Sequence, residues 1–384
     1  FFFKQKTAYE IPKRDWSSDV CSSDLASALT ASSALATNQI IKPYQGVRSS
    51  GMGGVKLTTG LYDDNFFGNP ARVLANPKWK VTITDPTFET SSSTISNIGT
   101  ISSADGDTLS GIGGTAGSNN HGRVQLTMPS VYVNKGDGKW AFAVGILTSA
   151  QFDVMLTNSY RIAPGAIVDV GPAVTVGRTF FEDQRLGVGI TPHVTSRVTT
   201  LSEMSMADLI SGRSLKPEDS GGAGTHFDVD FGATYKLPLT LGDFDFDAAF
   251  AVNNLLGGKY SNLKSVKIVT GAGLPREQPR SFGLGVATRR ETWGNFSNTV
   301  FALEFQDLGN NTNGSLFRTI HLGGETSWRR LALRAGLNQG YWAAGLGLNL
   351  WVLNLDVSSY GEEMSLNAGG LEDRRYALRV AFQI

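Results

Sequence analysis

The last residues of the chain alternate in polarity. Tyr376, Leu378, Val380, Phe382 and Ile384 fall on one side, and Ala377, Arg379, Ala381 and Gln383 on the other. This is the period of two expected of a β-strand with one apolar and one wet face. Asp243 to Asn253 repeats the pattern, with Phe244, Phe246, Ala248, Phe250 and Val252 opposite Asp245, Asp247, Ala249, Ala251 and Asn253. Aspartates at alternate positions behind phenylalanines need water on their own side. Comparable segments, separated by Gly, Asn, Asp and Pro, run near Trp79 to Phe88, Arg123 to Val133, Lys139 to Leu147, Phe152 to Tyr160, Ala166 to Phe180, Arg185 to Thr199 and His226 to Leu237. The series continues with Ser281 to Arg290, Thr299 to Asp307, Phe317 to Trp328, Leu331 to Asn338, Trp342 to Leu350 and Leu353 to Tyr360.

Many of these segments reach the roughly 9–11 residues that a tilted strand needs to cross a bilayer, whereas ordinary strands average about five or six. The candidates number fifteen, and single-chain bacterial barrels have even strand numbers. The pattern therefore predicts an all-β, antiparallel transmembrane β-barrel of about 14 strands in the bacterial outer membrane, with outer-membrane lipid as a partner. Trp79, Trp140, Trp293, Trp328, Trp342 and Trp351 all fall at or near predicted strand ends, where interfacial aromatic girdles belong.

Three stretches interrupt the alternation. Glu89 to Gly122, rich in Ser, Thr and Gly, reads as a long exposed loop or a flap into the mouth. Leu201 to Ser211 has the residues of a short loop helix. Thr37 to Pro77 precedes the first strand and, with its Gly51-Met52-Gly53-Gly54 and Asn69-Pro70 turns, reads as a plug inside the barrel, residues 78–384 forming the wall. Ahead of it, residues 1–25 contain KQKTAYE and DWSSDVCSSDL, which are identified as the in-frame translation of sequencing-adapter DNA. Residues 26–36 end in Ala34-Leu35-Ala36 and read as the remnant of an export signal.

Composition narrows the function classes. The chain carries 34 Lys and Arg against 34 Asp and Glu, and no basic cluster suits it to nucleic acid. Its one cysteine, Cys21, lies in the adapter-like segment, so the remainder is expected to have no disulfide or thiolate site. His121, His193, His226 and His321 have no metal-ligand spacing. Asp105-Gly106-Asp107 lacks the other ligands of a calcium loop, and Gly111-Ile112-Gly113-Gly114 lacks a dinucleotide fingerprint. No motif supports a lipid hydrolase, which would need His193 or His321 to meet a serine in space. The expectation is a protein without catalytic residues, metal or cofactor.

Gly46 to Pro77, GVRSSGMGGVKLTTGLYDDNFFGNPARVLANP, resembles the N-terminal hatch of the FadL-type long-chain fatty-acid transporters and their PorV/PorQ-like and TraF-like relatives. There a G-M-G-G turn is followed by an acidic stretch and then N-P-A. Leu331 to Glu363, Glu372 to Val380 and the segment from Thr225 are similar to other parts of the same superfamily, while Phe66, Phe67 and Gly68 depart from its usual smaller residues. The resemblance implies a hatch with Gly51, Gly53, Gly54, Asp64, Asn69 and Pro70 as seating or gating residues. It also implies passive uptake of a hydrophobic small-molecule ligand such as a long-chain fatty acid. The alternative it carries is an accessory barrel with a protein partner in secretion or conjugation. Asp245, Asp247, Glu304, Arg334, Asp356 and Arg379, on polar strand faces, are expected in the lumen as a hydrated charge network or a polar path.

Overall fold

The computed structural model describes residues 41–76, 79–102, 118–134, 139–156, 161–201, 204–205, 221–262, 273–309 and 314–384. The expectations for residues 1–40, for Asp105 to Asp107 and for Gly111 to Gly114 lie outside them. Sixteen strands form one closed antiparallel sheet. They are β1 (Lys80–Thr84), β2 (Thr87–Ser91), β3 (Asn119–Asn134), β4 (Trp140–Leu156), β5 (Arg161–Phe180), β6 (Leu186–Leu201), β7 (Met204–Ser205) and β8 (Gly221–Leu241). Then follow β9 (Phe244–Asn253), β10 (Ser281–Trp293), β11 (Phe296–Leu308), β12 (Ile320–Trp328), β13 (Leu331–Asn338), β14 (Tyr341–Leu350), β15 (Leu353–Glu363) and β16 (Glu372–Gln383). Strands β1 and β2 share one place between β16 and β3, broken at Asp85-Pro86, and the short β7 continues β6 along β5. The ring therefore has fourteen staves, the number the alternation predicts.

The fifteenth candidate arises because Lys139 to Leu147 and Phe152 to Tyr160 are not two strands. Trp140 to Leu156 is one continuous strand, paired throughout with β5. The polar Thr148-Ser149-Ala150-Gln151 resembles a turn, yet it simply keeps the alternation, with Ser149 and Gln151 buried and pointing inward. Two loop expectations also change. Glu89 to Gly122 contributes the end of β2, helix α1 (Ser92–Ser102) and the start of β3. Within Leu201 to Ser211, Met204 and Ser205 pair as a strand with Ile162 and Arg161, and residues 202–203 and 206–211 lie outside the described residues.

The two faces separate as the pattern requires. On β16, Tyr376, Leu378 and Phe382 are exposed while Ala377, Ala381 and Gln383 are buried. Exposed Phe, Leu, Ile and Val residues on the outer face continue around the wall, so an apolar belt faces outward and polar side chains face the interior. All six tryptophans of the wall lie at strand ends or one residue beyond. Trp79, Trp140, Trp293, Trp328 and Trp351 gather at the end with the short turns, and Trp342 lies at the other. Short turns mark the periplasmic rim of such barrels, which orients the molecule in the outer membrane.

The belt generates the first prediction. Leu378→Arg, outward and mid-strand, is expected to lower folding stability in liposomes by about 2–4 kcal/mol. The inward neighbour change Ala377→Ser is expected to be near neutral, with urea titration of heat-modifiable mobility as the readout.

Candidate functional site

Residues 41–76 lie inside the ring and reach across it. One end is the turn after the single helical turn Val47–Gly51. Gly53 and Gly54 there have φ of 71° and 88°, a region that L side chains avoid. A Cβ on Gly53 would come within 2.6 Å of the Leu337 backbone nitrogen, and one on Gly51 within 2.9 Å of Gly345 Cα. The wall reciprocates with glycines: a Cβ on Gly323 would strike the Met52 carbonyl, and one on Gly336 would lie 2.6 Å from Met52 C. Backbone thus rests on backbone at β12–β14, fixed by His321 Nδ1 donating to the Gly53 carbonyl at 2.9 Å. Sequence reasoning found Gly51, Gly53 and Gly54 and missed Gly323, Gly336 and Gly345. Their signal is a small residue on an inward strand position, which marks close backbone approach.

The far end repeats the device on the opposite wall. Asn69 caps a 3-10 turn, Pro70–Ala75, by accepting from Ala71 N at 3.0 Å. Its Nδ2 donates to the Leu57 carbonyl at 2.8 Å. Asn69 and Pro70 fit against Gly232 of β8 and Gly189 of β6, where any Cβ would collide with them.

Between these ends, charge holds the segment. Glu304 of β11 accepts from the backbone nitrogens of Lys56, Leu57 and Thr58 at 2.9, 3.0 and 2.8 Å and from Thr58 Oγ1 at 2.7 Å. These four donors from the segment, with Gln306 Nε2 as a fifth at 2.7 Å, form an anion nest around one carboxylate. Arg48 pairs with Glu325 at 2.7 Å and donates to the Thr59 carbonyl at 2.8 Å. Glu325 also binds Arg334 at 2.6 Å, and Arg334 binds Asp356 at 2.7 Å. Asp356 faces Arg379 at 3.7 Å, and Arg379 returns to the segment at Asp63. Glu304, Arg334, Asp356 and Arg379 are therefore brought to the lumen, three of them in this chain of alternating charge. Asp247 pairs with Arg289, which also donates to the Thr58 carbonyl. Asp245 differs: it is exposed near the periplasmic rim, accepting from Thr240 at 3.1 Å, because β9 starts only one residue before it.

Asp64 is the odd carboxylate. It is buried, and among the described residues its carboxylate accepts from the Ser49 hydroxyl at 3.2 Å. Burial pushes its pKa up to about 6 against the opposing pull of Arg48 and Lys56. Burial also lowers the Lys56 ammonium below its ordinary range.

The segment leaves space on both sides. Toward the periplasm a cavity of about 320 Å³ is lined by Arg48, Asp64, Glu325, Arg334, Asp356 and Arg379, among others. Toward the loops lies a smaller one of about 50 Å³ beside Tyr44 and Phe67. From this side a file of aromatic rings rises: Tyr44 to Phe67 at 5.9 Å, Phe67 to His193 at 6.1 Å, His193 to His226 at 5.7 Å and His226 to Tyr260 at 4.6 Å. Tyr260 belongs to the loop after β9. His193 and His226 are far apart in sequence, so spacing alone gave no sign that adjacent staves bring them together. Among the described residues no group of three or more His, Cys, Asp or Glu could hold a metal ion. His321 is taken up by Gly53, and the ring nitrogens of His121 lie 2.7 and 2.8 Å from carboxylate oxygens of Asp153 and Glu89.

Glu304→Ala removes the acceptor for three backbone amides and is expected to destabilise the seated segment by at least about 2 kcal/mol; hydrogen exchange at residues 56–58 should accelerate while the strands stay protected. For Asp64 the folded pKa lies above the unfolded value of about 3.9, so its contribution to seating is full in acid and lost as pH rises through about 6. Protection of the segment, corrected for intrinsic exchange, should fall across that pH, and Asp64→Asn should abolish the transition.

No protein-family model matches the chain, and no curated protein matches it. Among solved structures, a TodX monoaromatic hydrocarbon channel deltaS2 mutant is 12% identical with a TM-score of 0.50, covering 89% of this chain and 98% of its own. The toluene transporter TbuX of Ralstonia pickettii is 9% identical, with a TM-score of 0.49 and the same coverage. A Pseudomonas aeruginosa FadL homologue is 10% identical, with a TM-score of 0.39, covering 90% and 98%. By its fourteen-stave ring the chain shares the fold of the TodX monoaromatic hydrocarbon channel, a closed antiparallel β-barrel of the outer-membrane type.

Proposed function

We propose that this barrel is a passive FadL-type transporter of small hydrophobic molecules, long-chain fatty acids being one such class. The observation that carries the reading is the file of rings from Tyr260 through His226, His193 and Phe67 to Tyr44. It runs from an outer loop to the inner segment through a lumen that elsewhere carries ion pairs such as Arg334–Asp356 and Arg289–Asp247. Apolar area held against rings is worth about 25 cal/mol per Å² relative to water, so an apolar solute gains along this path what an ion does not. The solute would descend by exchange between ring contacts and stop at the inner segment, which acts as a hatch.

Passage then needs the hatch to move. Charged hydrogen bonds contribute roughly 1.5–3 kcal/mol each, so unseating every contact at Glu304, Glu325 and Arg379 together is too costly for a passive step. A partial shift around the two glycine seats avoids that cost, with Gly51, Gly53 and Gly54 at one pivot and Asn69-Pro70 at the other. On this reading nothing is hydrolysed and no cofactor is used.

Deleting Thr37 to Asn69 is expected to change uptake of oleate and of toluene by cells expressing the protein, while the barrel remains assembled and heat-modifiable. Unchanged uptake would remove the gating role.

A further inference from the structure

The outer face of β11–β13 does not continue the smooth apolar belt. A groove of about 820 Å³ opens there, walled by Phe301, Leu322, Leu333 and Leu337. Its floor is the cross-strand row Gly324–Ala335, which continues to Ala344 of β14 and begins beside Phe301. Above it the outward row is Leu322, Leu337 and Trp342, and below it Thr326, Leu333 and Leu346, so the floor is a depression bounded by larger side chains. A second hollow, of about 410 Å³, extends it past Ala344 to Ser359 and Tyr376. The groove lies within the lipid-facing belt, so hydrocarbon covers it.

Its lower end reaches the periplasmic rim at Trp293 and Phe296. From the Leu322–Leu337 pair to the Trp328–Leu331 pair the wall runs about 20 Å at roughly 3.3 Å per residue. At a strand tilt near 40° that is about 15 Å of depth, or half of a hydrocarbon core about 30 Å thick. The groove therefore has the depth of one leaflet. Past its rim the turn between β12 and β13 presents Arg329 and Arg330, both exposed and both also lining the periplasmic mouth of the lumenal cavity. Their guanidinium carbons lie 5.4 Å from the Trp328 ring and 6.0 Å from the Trp351 ring. Neither arginine has a carboxylate partner among the described residues, whereas Arg374 at the opposite rim is paired with Glu372. Two uncompensated cations beside tryptophans, at headgroup level, suit a phosphate.

We infer that this face is a retained-lipid site for one glycerophospholipid of the periplasmic leaflet, with an acyl chain in the groove and its phosphate at Arg329 and Arg330. The inner side of the same wall is the glycine seat of the hatch, formed by Gly323, Gly336 and Gly345. Only backbone separates the lipid chain from the Gly51–Gly54 turn, so an occupied groove supports the wall where it carries no side chains on its inner face.

The test is native mass spectrometry of the full-length barrel released from nanodiscs of mixed phosphatidylethanolamine and phosphatidylglycerol. Wild type is expected to retain one phospholipid per barrel. Ala335→Phe, which fills the floor from the lipid side, and the double change Arg329→Glu with Arg330→Glu should each lower retention at least tenfold, with heat-modifiable mobility confirming that each variant is folded. Equal retention in folded variants would overturn the inference. So would a wild-type dimer that Ala335→Phe dissociates, since a second copy would then be the occupant.

Discussion

Hydrocarbon offers the backbone no hydrogen-bond partner, so each strand of this protein must be satisfied by its neighbours and the first must meet the last. The closure is not a simple pairing of two regular strands. Pro86 has no N–H to give the ladder, and the first stave breaks there into β1 and β2. The gap is filled by side chains and neighbours: Asp85 accepts from the Thr127 backbone and hydroxyl, and the Pro86 carbonyl accepts from Val380 N at 3.0 Å. β16 pairs with both halves, and the ring has no free edge.

Closing the ring sets the chemistry of its interior. Alternation places half of every strand inward, and the aspartates, glutamates and arginines found there would each be costly to bury alone. Most are paired, while Glu304 and Asp228 accept from backbone amides, and the path from Arg48 through Glu325, Arg334, Asp356 and Arg379 to Asp63 ties wall and inner segment into one charge-compensated unit. Glycine does the complementary work at both ends. At β12–β14 the segment's backbone rests on wall glycines, and at β6 and β8 the Pro70 backbone and the Asn69 side chain fill the room that Gly189 and Gly232 leave. Charge therefore provides the hold, and glycine sets the position.

The sequence made the ring legible because a period of two is a direct imprint of a wall with two solvents. It also marked the rims, since tryptophan has a physical reason to sit at an interface and all six wall tryptophans do so. The same period is blind to length, which is why Thr148 to Gln151 read as a break inside β4: polar residues in a turn and polar residues on a lumen face look alike. Seats and pairs were harder still. Gly323 and Gly336 acquire meaning only from Met52, more than 250 residues earlier in the chain, and His193 meets His226 only because β6 and β8 are adjacent. Such contacts depend on register, which no local pattern carries. Asp245 shows the limit from the other side, having the right face and lying too near the rim to join the network.

On the proposed function, the inner segment, held across the ring by charge and glycine contacts, closes the lumen to ions. Single-barrel conductance in a planar bilayer then shows no steady, porin-like ion current through the intact protein. A large and persistent conductance at low voltage would contradict it, because it would require an open aqueous path through the space that residues 41–76 occupy.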